Sequence, residues 1–430
     1  MRLGGRLAAA IEVLDDMRRR KRPAADALKD WGLSHRFAGS GDRSAIGNIV
    51  YDALRRRRSA GWLLGEETAR AEVLGGYLTE SGVSPEAIND ELDGDRFAPQ
   101  PISASELAAL RGRDMADAPA AVRADCPDWC VAHLERAFGD AWVEEGAALA
   151  ARPPLDMRVN ALVSDRDTVL RELAEFAPHP TRIARAGVRI APIQGDGRHP
   201  NVQVEPAFQK GWFEIQDEGS QIAADLASPQ AGQRVLDFCA GGGGKTLALA
   251  ALMGNQGSII AHDSEKQRLA PIFDRLRRNA VDNVEVVART SDLESMAGNM
   301  DLVLIDAPCT GSGTWRRKPD AKWRLTDRQL ETRQRDQAQI LATASRYVRP
   351  GGRLAYVTCS VFDAENGDQI AAFLEANADF RPVDHVALWS SHYPDNTGMA
   401  RIDRDLGIRL SPALSGTDGF YFCALERVPS

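Results

Sequence analysis

From about Glu218 onward, short apolar runs alternate with segments of helical period, and nothing else in the sequence constrains the fold as strongly. The runs are RVLDF (234–238), SIIAH (258–262), VEVVA (284–288), DLVLID (301–306), RLAYVT (353–358) and GFYFCAL (419–425). They are too continuously apolar for strands with one wet face. They predict a parallel sheet, buried on both sides by the helices between its strands. Ligands of such sheets sit at the carboxyl ends of the strands. The polar residues just after each run are therefore the first candidates for chemistry.

The N-terminal part reads differently. Ile46, Ile49, Val50, Ala53 and Leu54 recur at helical spacing and predict one apolar helix face. Residues 81–125 show little period, 129–149 are helical again, and the prolines of ARPPLDMRVNAL end that pattern. Short strand-like runs and one helix (168–176) fill 154–215. The division expected is a helical domain over 1–140, a small α/β subdomain over 141–215 and the parallel-sheet domain over 216–430. No run of apolar residues is long enough to span a bilayer, and the opening MRLGGRLAAAIEVLDD lacks the form of a signal peptide. The expectation is a cytoplasmic chain with its six cysteines reduced. Cys126 and Cys130, with His133 nearby, lack a fourth ligand and a usual spacing, so packing is expected there rather than a metal.

The net charge of -8 argues against a general polyanion binder. Yet residues 1–60 hold 14 Lys/Arg against 7 Asp/Glu, bunched at Arg18–Arg22 and Arg55–Arg58. Such runs either track phosphates or form solvated helix faces.

The stretch LDFCAGGGGKT (236–246) resembles a phosphate-cradling loop, but a Walker loop needs glycine where Cys239 stands. The alternative is a loop passing close beneath a nucleoside, since glycines permit close backbone approach. Asp263, after the second run, is then the partner for ribose hydroxyls. A ligand without pyrophosphate, such as S-adenosylmethionine, needs no G-x-G-x-x-G spacing.

Cys309 and Cys359 follow two successive strands. If those strands are neighbours, both thiols face one pocket. That pairing suggests cytosine chemistry. A thiolate adding to carbon-6 activates carbon-5, a second group removes the carbon-5 proton, and an acid near ring nitrogen-3 stabilises the adduct. Asp306 is placed for the last role, and Lys245 for stabilising a thiolate. Chemistry alone leaves open which cysteine attacks. WRRKPDAKWR (315–324) adds five basic residues and two indoles, suited to phosphate and unpaired bases, so Arg316, Arg317, Lys318, Lys322 and Trp323 are candidate RNA contacts.

Together these motifs, with RVN (158–160), QDEGSQ (216–221), TCSVFDAEN (358–366) and TDGFYFCAL (417–425), resemble the RsmB/Nop/Sun RNA cytosine-5 methyltransferases over roughly 154–427. The resemblance implies a Rossmann-like, S-adenosylmethionine-dependent domain, with Cys359 as nucleophile and Cys309 promoting product release. It implies Asp306 at the cytosine, with Lys245 in the same pocket. Its cofactor set is Cys239, Ala240, Gly241, Gly242, Gly243, Gly244, Lys245, Asp263, Arg268, Asp292 and Asp306. The family loop reads Ala-Pro where Gly241 and Gly242 stand. Residues 1–65 resemble the NusB-like helical RNA-binding domain of the RsmB branch, which implies a small-subunit ribosomal RNA substrate. Transfer RNA, or RNA binding without catalysis, are the alternatives. A monomer without a metal is expected.

Overall fold

At Pro153–Pro154, where helical period gives way to short runs, the chain passes from one compact unit to another. The computed structural model describes every residue except 194, 196, 198 and 430. One unit comprises Met1–Pro153, Pro192–His199 and Trp315–Thr326; the other comprises Pro154–Ala191, Pro200–Thr314 and Asp327–Ser430. The expected boundary at 140 falls inside the first of these units. The helix Trp142–Leu149 belongs with the helical unit, where Gly146 lies so close to Ala124 that a Cβ would meet that side chain at 2.7 Å.

In the helical unit, α1 (Leu3–Arg20) and α2 (Ser40–Arg55) face each other. Leu7, Ala10, Val13, Leu14 and Met17 of α1 are buried with Ile46, Ile49, Val50, Ala53 and Leu54 of α2, so the face expected from the spacing is the core face. A third helix, α3 (Ala69–Ser81), crosses by way of Gly75 and Gly76, which leave room for the backbone of Ala60 and Ala53. The basic runs are mostly paired with carboxylates of the same unit, although Arg19 and Arg20 stay exposed. Arg18 and Arg57 pair with buried Glu72, Arg55 with Asp52 at 2.9 Å, Arg56 with Glu80 at 2.8 Å, and Arg22 with Asp16 and Asp30.

The second unit opens with a four-stranded antiparallel sheet of β1 (Leu155–Val159), β2 (His179–Pro180), β3 (Gly187–Ile190) and β4 (Phe213–Ile215), in the order β2-β3-β1-β4. The larger sheet follows: β5 (Arg234–Asp237), β6 (Ser258–His262), β7 (Val284–Val287), β8 (Met300–Asp306) and β9 (Val348–Thr358), all parallel to their neighbours. The residues of each strand alternate between two cores. Val235, Ile259, Leu302, Leu304 and Val357 pack with Leu249 and Trp389, while Leu236, Ile260, Val303, Ile305 and Tyr356 pack with Leu341 and Phe373. The last apolar run departs from the expectation. It forms β13 (Phe420–Arg427), antiparallel to β9, and is joined by short β10 (Phe380–Pro382), β11 (Arg401–Asp403) and β12 (Gly407–Leu410). The strand order is β11-β12-β13-β9-β8-β5-β6-β7, with β10 on β13. Among the described residues no helix is long and apolar enough to cross a membrane.

Candidate active site

The chain winds outward from β5 to β6 and β7 on one side, then resumes with β8 and β9 on the other. The strand order therefore reverses between β5 and β8, and a crevice opens at their carboxyl ends. The glycine loop, Asp263, Arg268, Lys245, Asp306 and both cysteines sit there. The loop after β5 turns through positive φ at Gly241 (50°) and Gly243 (81°), and a Cβ at Gly243 would stand 2.5 Å from Ile272. The loop delivers the chain into the helix Gly244–Leu252. Gly241 N–H donates to Asp263 at 3.0 Å, and Arg268 meets the same carboxylate at 3.2 Å. Cys239 and Ala240 are buried in the loop, and burial pushes the Cys239 thiol up.

Lys245 Nζ lies 2.8 Å from Asp306 at the end of β8, so the strand ends on either side of the crevice are joined by an ion pair. The amine stands 5.3 Å from the Phe420 ring centre. Its ion pair is with the carboxylate rather than with a thiol.

Beyond Asp306, the loops after β8 and β9 bring Cys309 Sγ to 3.4 Å from Cys359 Sγ. The condition set by the sequence, that the two strands be neighbours, is met. The bond from Cys359, then burial, hold the Cys309 thiol well above the ordinary thiol range, with the charge of Glu365 acting in the same sense. The loops are cross-braced. Gly313 N–H donates to Cys359 O (2.9 Å), Val361 N–H to Ser312 Oγ (2.9 Å) and Gly419 N–H to Gly313 O (2.8 Å). A Cβ at Gly313 would lie 2.1 Å from Gly419 O, so the first residue of GFYFCAL needs a glycine opposite it.

Sequence reasoning passed over three residues here. Asp237 ends β5 fully buried. It accepts from Thr246 Oγ1 at 2.7 Å, while its Oδ1 has no partner. Burial, with the charges of Asp306 and Asp263, pushes it up to about 7 against the opposing effect of Thr246 and Lys245. Arg275 donates to Gly242 O at 2.6 Å and pairs with Glu214 at 3.0 Å, bracing the loop where the family pattern has proline. Glu365, fully buried, accepts from residues next to both cysteines. A carboxylate at the very end of an apolar run was the available signal for Asp237; Glu365 stood inside TCSVFDAEN with its partners elsewhere in the chain, and Arg275 lies outside any local pattern.

Two groups of expected residues are not brought to the crevice. Asp292 follows β7, two strands from β5, and pairs with Arg289 at 3.2 Å on the surface. The candidate RNA segment packs inside the helical unit instead. Helix α2 ends with carbonyls that have no partner in the helix. Trp323 Nε1 donates to Leu54 O (2.7 Å) and Lys322 Nζ to Arg55 O (3.3 Å) and Asp125 O (2.6 Å). Lys322 is 2 % exposed and burial lowers it to about 8. Arg316 is buried, and its carbonyl accepts from Arg55. Lys322, Trp323 and Arg316 are therefore corrected from display to packing. Lys318 is exposed and Arg317 half-buried. Cys126 and Cys130 are buried near Lys322, and among the described residues no group of three or more His, Cys, Asp or Glu is placed to hold a metal.

The model of the 16S rRNA methyltransferase RsmB/F family matches residues 224–426, and that of the RsmF/B-like ferredoxin-like domain matches 126–193. The chain is 32% identical over 304 residues to ribosomal RNA small subunit methyltransferase B of Enterobacter sp. (strain 638). That match covers 70% of this chain and 66% of the relative, just under two thirds of its length. Among solved structures, that of PH0851 aligns with a TM-score of 0.72 at 23% identity, over 99% of this chain and 100% of its own. NSun6 from Pyrococcus horikoshii with SFG aligns at 0.60 and 21% identity, over 71% of this chain and 99% of its own. These likenesses show the fold.

Proposed function

The chain belongs to the RsmB/F methyltransferase family, and on that premise we propose that it methylates carbon-5 of a cytosine in RNA, with S-adenosylmethionine as methyl donor. The single observation that carries the reading is the pair of sulfurs 3.4 Å apart at adjoining strand ends, beside the Lys245–Asp306 pair. The name of the relative supports small-subunit ribosomal RNA as the substrate.

The residues fit such a donor. Glycines 241 to 243 have little room for side chains against Arg268, Arg275 and Ile272, which keeps the loop bare backbone, and Asp237, which ends the strand leading into it, has an unpartnered Oδ1. Asp263 and Arg268 take the nucleoside side, Cys239 and Ala240 the wall. When bound, S-adenosylmethionine supplies the electrophilic methyl group that carbon-5 takes up. Asp306 and Lys245 face the pyrimidine edge; the proton they share passes to ring nitrogen-3 as the ring gains electrons and returns to the pair when the adduct breaks down.

Cys359 Sγ forms a bond to carbon-6 and makes carbon-5 nucleophilic. Once that sulfur is bonded to carbon, it no longer holds the Cys309 proton. Cys309 releases that proton to water and takes the one from carbon-5. The electrons return to the ring and the carbon–sulfur bond breaks. A base must leave its stack to reach these sulfurs, so a looped or partly unfolded RNA is the expected substrate. In an assay with labelled donor, Cys359→Ala abolishes transfer, whereas Cys309→Ala accumulates a covalent protein–RNA adduct visible on a denaturing gel. The opposite pattern would exchange the two roles, and turnover by both variants would end the reading.

A further inference from the structure

Glu365 is fully buried, yet its carboxylate is crowded with donors. Oε1 accepts from Thr310 N–H at 2.8 Å and from Gln337 Nε2 at 3.0 Å, and Oε2 accepts from the hydroxyls of Thr310 and Ser360. Thr310 follows Cys309, and Ser360 follows Cys359. One anion thus grips the residue after each sulfur. Gln337, itself buried, ties the same carboxylate to Pro308 O at 3.0 Å, just before Cys309. Tyr356 donates to the Glu365 carbonyl at 2.8 Å and fixes its backbone.

We propose that Glu365 is the positioning residue of the reactive pair: it holds the residues after Cys309 and Cys359 on one carboxylate and so sets the distance between the two sulfurs. The carboxylate is the common acceptor of both loops, and its charge faces one of the sulfurs. The groups facing the Cys309 sulfur are Cys359, Glu365 and Tyr356, with the Gly311 N–H, and Glu365 raises the thiol. A carboxamide keeps the size of the side chain but removes the charge and turns a donor toward other donors. The inference rests on the cytosine-methylation reading for its meaning in turnover, but not for its test.

The test is Glu365→Gln, with alkylation of each cysteine by iodoacetamide followed by mass spectrometry across pH. In the parent protein, Cys309 reacts only at a pH above the ordinary thiol range. In the variant, the Cys309 profile moves to lower pH by about one unit, a tenfold gain in rate at fixed pH. Turnover falls by about 100-fold while KM for RNA holds, as expected when reacting groups shift by a fraction of an ångström. Paired Thr310→Val and Ser360→Ala keeps the charge and removes two tethers. It should lower turnover and leave the Cys309 profile in place, and it provides the test should the glutamine variant not fold. An unmoved Cys309 profile in folded Glu365→Gln, or unchanged turnover in the paired variant, would overturn the proposal. Alkylation needs neither RNA nor methyl donor, so a parent protein inactive on every RNA would remove the functional reading and leave this inference standing or falling by the thiols.

Discussion

Two regions of the molecule carry dense chemistry in the sequence, and they turn out oppositely. At the ends of β5, β8 and β9, Lys245, Asp306, Cys309 and Cys359 converge around one crevice. In the helical unit, the arginine runs and the segment 315–324 are equally suggestive on paper, yet nearly every charge there meets a carboxylate or a carbonyl of its own unit. The difference is geometric. A parallel strand delivers its last residue to one edge of the sheet regardless of side-chain type, whereas a helix surface points in every direction and finds its partners in whatever packs beside it.

Substitutions can break that contrast. The largest effect is expected at Lys245. Removing its charge in Lys245→Met leaves Asp306 without its partner and should reduce methyl transfer by about 10²–10³-fold, read as kcat with saturating RNA; near-parent turnover would mean that the ion pair is only structural. Asp237 comes next. Its carboxyl, pushed up to about 7, holds a proton more tightly folded than unfolded. The ligand-free protein should therefore lose stability as pH rises from about 4 to about 7, by on the order of 3–4 kcal/mol. Asp237→Asn should remove that slope in denaturation midpoints taken across pH, and an unchanged slope would show that another group carries it.

On the other side of the comparison, Lys322→Met leaves the carbonyls of Arg55 and Asp125 short of a donor. It should cost about 2 kcal/mol, seen by calorimetry, while the salt dependence of RNA binding stays put. A stable variant with a shallower salt slope would return Lys322 to the RNA. The smallest effect belongs to exposed Lys318. Its alanine variant should shift stability by less than about 0.5 kcal/mol and, if it meets phosphate, lower the salt slope by about one.

The strands of the parallel sheet were legible because both faces are buried and the apolar runs are continuous. Lys245, Asp306 and both cysteines were legible for the related reason that each sits just past such a run. The antiparallel placement of β13 was not, since an apolar run carries no sign of its direction. Nor was the burial of Lys322 and Trp323. The acceptors that claim them are the last carbonyls of α2, which lie far away in sequence and belong to a backbone that no side-chain pattern reveals. Glu365 stood inside a quoted motif, but its value comes from donors on two other segments.

Gly313 and Gly419 touch backbone to backbone, with Gly419 N–H donating to Gly313 O. The loop that carries the first sulfur therefore leans on a strand translated long after it. While the polypeptide is being synthesised, both cysteines and the glycine loop exist before β13 does, and the loop lacks its prop.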